Sequence, residues 1–373
     1  MNMFGSAARR VPAAICMSAL TAAATLIGQE GQRTYPSART GGSYMHNYYF
    51  PPAPSSTPWA PAWSPDGKSI AVAMSGSIWK VDPATGAAQE LTYDRKYHST
   101  PDWSPDGNWV IYTADDGGTT IQLAVVNVAT GETRALTNDN FIYTDPVFSP
   151  DGTRVAYVST KPNGFFNAYV RSIKDGQWAG DEIAVSRDNS YRNSRLYFGA
   201  EDLHITPAWT ADGKQLVLAS NRGVALGSGH LWLAPAVAGG MDDARTVLAE
   251  QTLYRAQPDV SIDGKRFVYS STRGAADQFS NWYVQPVAGG EPYKLTFFEH
   301  DAFHPRWSPD GEWIAYIDNR EGLPQLALLE VHGGDNRIVH ITNRRWKRSM
   351  GRVSLRTVDE RGFVTGARIH VTA

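Results

Sequence analysis

The chain is nearly devoid of thiols: Cys16 is the single cysteine among its 373 residues. It lies inside an N-terminal apolar run, so a chain processed after that run would carry neither a free thiol nor a disulfide. Charge of one sign is also lacking. Lys and Arg number 35 against 37 Asp and Glu, a formal net charge of -2, which leaves no broad basic face for nucleic acid. No 3.6-residue apolar periodicity runs through the chain, which excludes helical solenoids. Catalytic signatures are missing as well. There is no Gly-x-Ser-x-Gly elbow, no His-Glu-x-x-His helix, no His-x-His strand end, no dinucleotide fingerprint and no EF-hand loop. Gly67-Lys68-Ser69 imitates the end of a phosphate loop, but Ala62 stands where glycine is required and a strand follows.

What is abundant is one short stretch, present six times. It reads Pro61-Ala-Trp-Ser-Pro-Asp-Gly67, Pro101-Asp-Trp-Ser-Pro-Asp-Gly107 and Pro146-Val-Phe-Ser-Pro-Asp-Gly152. It returns as Pro207-Ala-Trp-Thr-Ala-Asp-Gly213, Pro258-Asp-Val-Ser-Ile-Asp-Gly264 and Pro305-Arg-Trp-Ser-Pro-Asp-Gly311. The Asp residues at 66, 106, 151, 212, 263 and 310 set a period of 40 to 61 residues. Repeats of that length are stacked units that cannot bury their apolar faces alone.

Within a repeat, Ser-Pro-Asp-Gly is a turn: Pro presets the first central position and Gly takes the left-handed conformation at its end. Ile70 to Met74 follows as an almost wholly apolar strand that needs both faces covered. Ser77 to Asp82 and Ala88 to Thr92 are the third and fourth strands, and the second and sixth repeats copy this. Four short antiparallel strands per repeat form one propeller blade. The predicted fold is all-β: a six-bladed propeller over residues 59–343, then a short hairpin that looks like the start of a β-sandwich. The six Asp are turn residues, because six copies in six turns argue against catalysis. Trp63, Trp103, Trp209 and Trp307 are blade-packing anchors.

Trp-Ser-Pro-Asp-Gly, an Ile-Ala-Tyr type strand, and the endings Leu91-Thr92, Leu136-Thr137 and Leu295-Thr296 resemble the TolB-like (WD40-like) β-propeller repeat. The resemblance covers residues 59 to 343. It implies a binding or docking module, because relatives use the same propeller as a docking surface, a lid over a hydrolase or a cap. Met1 to Arg10 with two arginines, then Val11 to Gly28 without a charge, reads as a secretory signal over residues 1–28, which implies a periplasmic or secreted protein without a membrane span after cleavage. Residues 29–58 are a Pro-, Gly- and Tyr-rich linker. Arg344, Arg345, Lys347, Arg348, Arg352 and Arg356 read as a basic linker opening the segment 344–373. The order of signal, propeller, basic linker and hairpin resembles the front of exported amidohydrolase or PHP-like metal-dependent hydrolases. Their catalytic domain and metal ligands would lie beyond Ala373.

Two sets of residues stand out for chemistry. The stretched third blade carries Tyr191, Arg192, Arg195, Tyr197, Glu201 and Asp202, a candidate ligand rim in a loop. His98, His204, His300 and His304 lie in or near the stretches entering three innermost strands. There imidazole and carboxylate together suit a divalent transition metal in the central channel. A propeller enzyme such as a lyase or lactonase would need His98, His204 and His304 to converge. Otherwise the expected partner is a protein, peptide or glycan at a propeller mouth.

Overall fold

The computed structural model describes residues 56–116, 120–162, 164–187, 202–223, 229–250, 256–273, 279–349, 351 and 361. The expected signal, most of the linker, the terminal hairpin apart from Arg361, and Tyr191, Arg192, Arg195, Tyr197 and Glu201 lie outside the described residues.

Six antiparallel sheets follow one another in chain order, five of four strands and one of five. Each is a blade whose strands run outward from a central channel. The innermost strands are Trp59–Trp63, Tyr97–Trp103, Tyr143–Phe148, His204–Trp209, Asp259–Val260 and Ala302–Trp307. Helix is confined, among the described residues, to a single 3-10 turn at Gly240–Asp243. No helix among them is long and apolar enough to cross a membrane.

The turn inside each motif is built as its residues dictate. In all six, the Ser or Thr hydroxyl donates to the Asp carboxylate at 2.5–2.7 Å. The same carboxylate oxygen accepts the backbone N–H two residues on at 3.0–3.1 Å. The following Gly has φ between 66° and 76°, a region that favours glycine. The hydrogen bond from Ser64 holds the Asp66 carboxyl below its ordinary value, as those from Ser149, Thr210, Ser261 and Ser308 do for their Asp residues.

The second strand of blade one shows why the ring is needed. Side chains alternate across a strand. Ile70, Val72 and Met74 therefore pack towards blade six, against Ala315, Leu326 and Leu328. Ala71 and Ala73 pack towards blade two, against Val110 and Tyr112. All five residues of this strand, Ile70–Met74, are buried. The Leu-Thr endings differ from the strand ends expected of them. The outer strand of blade one stops at Glu90, and Leu91 and Thr92 hook inward. Both backbone N–H groups reach Ile78 O, and Thr92 Oγ1 accepts Ile78 N–H at 2.9 Å. Thr137 and Thr296 repeat this on Leu123 and Trp282. The hydroxyl thus stands in for the carbonyl that the ladder has run out of.

Ring closure joins residues far apart in sequence. Trp63 Nε1 donates to Arg306 O at 3.1 Å, and Trp59 packs edge-on to His304 with centroids 4.8 Å apart. The chain then stays on the propeller past the expected boundary at 343. Arg344–Arg345 pairs in parallel with Ala88–Glu90 as the fifth strand of blade one. Trp346 stands edge-on to the buried Trp79 at 4.6 Å. The fully buried Glu90 carboxylate accepts Ser77 Oγ at 2.8 Å and Lys347 N–H at 2.9 Å, and pairs with Arg348 at 3.0 Å. Arg348 lies over both Tyr93 and Trp346. Cutting this strap would leave Glu90 a buried charge with one hydroxyl for company, an expensive arrangement. Trp346→Ala is expected to lower stability by about 2 kcal/mol. Arg344→Ala, exposed, should change it by less than about 0.5 kcal/mol. Denaturant unfolding of the two variants checks the pair.

Candidate functional site

The residue directly ahead of each motif proline has an unusual backbone. Ala60, Thr100, Asp145, Thr206, Gln257 and His304 all have φ between 44° and 54°. The left-handed region is uphill for non-glycine residues, by about 1–2 kcal/mol each. The sixfold recurrence identifies it as part of the blade design. In five blades the strand pairing shifts register at this point, between Trp59 and Ala62, Ser99 and Asp102, Thr144 and Val147, Ile205 and Ala208, and Phe303 and Arg306. Proline cannot donate to the ladder, so the break falls where no hydrogen bond is lost. The bulge brings the preceding residue to the channel.

The result is a cavity of about 480 Å3, open mouth included, lined by all six of these residues together with Asp102 and Arg306. Only about 40 Å3 of it can hold the centre of a water molecule. Gln257 Nε2 donates to His304 Nε2 at 3.1 Å, and Gln257 Oε1 accepts His304 N–H at 3.1 Å. That places the ring proton of neutral His304 on Nδ1. Arg306 Nη1 donates to the carbonyls of Pro305 at 2.9 Å and Gln257 at 3.2 Å. Asp102 accepts Phe148 N–H of the next blade at 2.7 Å, and Asp259 accepts Trp307 N–H of its next blade at 2.7 Å. Each acid thereby ties two blades together, Asp102 at the wall of the channel.

Burial pushes the Asp102 carboxyl up to about 7, with the Phe148 N–H and Arg306 opposing and Asp259 adding repulsion. Burial likewise pushes Asp145 up to about 6, against the Thr144 hydroxyl and Arg306. Asp259 is raised by the same cause. These shifts run opposite to those of the turn carboxylates.

The four candidate histidines are dispersed. His98 Nδ1 is 2.7 Å from Thr92 Oγ1 and its Nε2 is 3.0 Å from Asp94, so it belongs to the Leu-Thr hook of blade one. His204 is fully buried at the start of the innermost strand of blade four. Asp202 is buried just ahead of it. His300 stacks on Phe298 at 4.6 Å and lies 3.2 Å from Asp318, which Arg320 also engages. His304 alone of the four lines the channel. His98 and His204 stand two positions earlier than the channel residues of their own blades. Among the described residues no three His, Cys, Asp or Glu side chains converge as metal ligands would. The channel residues that sequence reasoning missed are Thr100, Asp102, Asp145, Thr206, Gln257 and Arg306. Their signal was positional: one residue before, or one after, the motif proline.

Comparison with known proteins agrees with the fold. Residues 54–180 match the family described as TolB beta propeller domain. The fold is a TolB-like β-propeller. It is 25% identical over 269 residues to the uncharacterized peptidase YuxL of Bacillus subtilis strain 168, covering 69% of this chain and 29% of that protein. The propeller chain thus spans less than a third of that relative. The crystal structure of TolB from Acinetobacter baumannii superposes with a TM-score of 0.52 at 17% identity, over 74% of this chain and 64% of that one. The tricorn protease gives 0.54 at 15% identity, over 82% of this TolB-like chain and 27% of the protease.

The channel acids make a prediction about pH. Their native pKa values lie above the unfolded range near 4, so the folded state holds protons that the unfolded chain has released. The stabilisation is full below about pH 4 and is lost as pH rises through 6 to 7. The melting temperature is expected to fall between pH 5 and pH 8, with a shallower fall in Asp102→Asn. Calorimetry of both proteins across that window checks it.

Proposed function

We propose that this TolB-like propeller is a binding module that takes a protein, peptide or glycan at the mouth of its central channel. One observation carries the reading. The positions that build the blade repeat their chemistry: proline, Ser or Thr, Asp and Gly recur in all six motifs. The six equivalent channel positions hold Ala, Thr, Asp, Thr, Gln and His. Backbone geometry there is the same in every blade, so the fold makes no demand for that variety. A varied, mostly polar set of side chains converging on a cavity is what recognition of one asymmetric ligand requires.

Export to the periplasm or beyond fits the basic, then apolar, N-terminus. Association with a hydrolase is the second reading, favoured by the match of most of this chain to part of the YuxL peptidase. A metal-dependent hydrolase of the amidohydrolase or PHP-like type would place its catalytic domain beyond residue 373. The strap then has a use, since it fixes where the following chain departs from the rim of blade one.

Peptide and glycan arrays probed with the natural chain and with the double variant Gln257→Ala, His304→Ala test the binding site. Ligands retained by the natural chain are expected to bind the variant about tenfold more weakly or worse, at a melting temperature within a few degrees. An unchanged binding profile would remove the channel from the proposal.

A further inference from the structure

Taking the channel as the ligand site, as proposed above, we infer that it accepts a protonated primary amine: the ammonium head of a peptide terminus or of a lysine side chain.

The first argument is a census of donors and acceptors. Five prolines, Pro61, Pro101, Pro146, Pro207 and Pro258, line the cavity, and none has an N–H to offer. Ionised Asp102 and Asp145 can only accept. Gln257 is engaged with His304 at both ends of its amide. The Nη1 donor of Arg306, the single guanidinium on the lining, is turned to the carbonyls of Pro305 and Gln257. The carboxylates are therefore the lining's strongest acceptors, and they complement an ammonium group with three donors and no acceptor. Thr206 Oγ1 supplies an independent sign. It lines the same cavity, is shut off from water, and has no hydrogen-bond partner.

The second argument is charge. Three carboxylates, Asp102, Asp145 and Asp259, act on one Arg306. An anion entering would meet a surplus of like charge, whereas a cation reduces it. The third argument is size. Space for water centres of about 40 Å3 corresponds to roughly three waters. That suits a narrow head on a flexible stem and is too little for a sugar ring or a folded domain.

The test uses the full chain at pH 7.5, with saturation-transfer NMR and calorimetric titration of n-butylammonium, n-butanol and butyrate. Only n-butylammonium is expected to bind. Asp145→Asn and Asp102→Asn, near-isosteric and checked by melting, are expected to weaken it at least tenfold. Thr206→Val, which removes the hydroxyl and keeps the shape, should weaken it severalfold. Two peptides separate the sources: Ala-Ala-Ala amide offers only an α-amine, and N-acetyl-Ala-Lys-Ala amide only a side-chain amine. Binding of either, lost in the Asp variants, supports the inference. Butyrate binding instead, or amine binding indifferent to both Asp variants, overturns the amine and leaves the channel a ligand site. No binding of any probe overturns it too. If array ligands are then still lost in the Gln257, His304 variant, the channel stands as a site for another chemistry. If they are retained, both readings fall.

Discussion

A blade with a fully apolar middle strand has two faces to hide and can hide neither by itself. That constraint organises the molecule. In blade one, Ile70 and Val72 look to blade six while Ala71 and Ala73 look to blade two, so a single strand takes part in two separate cores. Such coupling makes the ring cooperative, because a missing neighbour exposes apolar surface on both sides of the gap. Hydrogen bonds at the inner wall reinforce it. Asp102 and Asp259 each hold the next blade by a backbone N–H, and Trp209 Nε1 holds the preceding one through Val147 O at 3.1 Å.

The same constraint leaves one place free. Turn, hook and middle strand are fixed by what the blade needs, and their residues recur. The bulge ahead of each proline must turn the chain, but the side chain it brings to the channel meets no blade core. It is there that the repeats diverge, and there that three carboxylates, an imidazole and a guanidinium gather in little space. The electrostatic contrast follows from position. An Asp in a motif turn is met by a hydroxyl and a backbone N–H and stays acidic, whereas Asp102 and Asp145 sit where water is scarce and keep their protons longer.

The fold was legible because its signals are local. Ser-Pro-Asp-Gly specifies its own turn, and an uninterrupted run such as Ile70–Met74 announces a strand with two partners. The Leu-Thr endings were misread as strand because they follow one directly. Their role depends on Thr92 finding Ile78 fourteen residues back along the sheet, which no pattern of hydrophobicity records. The site was mostly illegible for a related reason. A left-handed residue before proline runs against local preference, since proline biases its predecessor to extended backbone. Only the assembled ring makes Thr100 or Gln257 a channel residue. His304 was found because histidine draws attention by its chemistry. His98 and His204 drew the same attention two residues away from the channel.

The strap also sets a condition on biosynthesis. Arg348 reaches Ser75 O across 273 residues, and Trp63 reaches Arg306 O across 243. A chain emerging N-terminus first can form its blades one by one, yet the outward face of the first has nothing to pack on until the sixth is complete. Glu90 meanwhile waits, hydrated, for the last residues of the propeller before it can be buried. Ring closure is therefore a terminal event, entropically delayed by a loop of nearly the whole domain. Until then the nascent protein presents an open crescent with two adhesive ends.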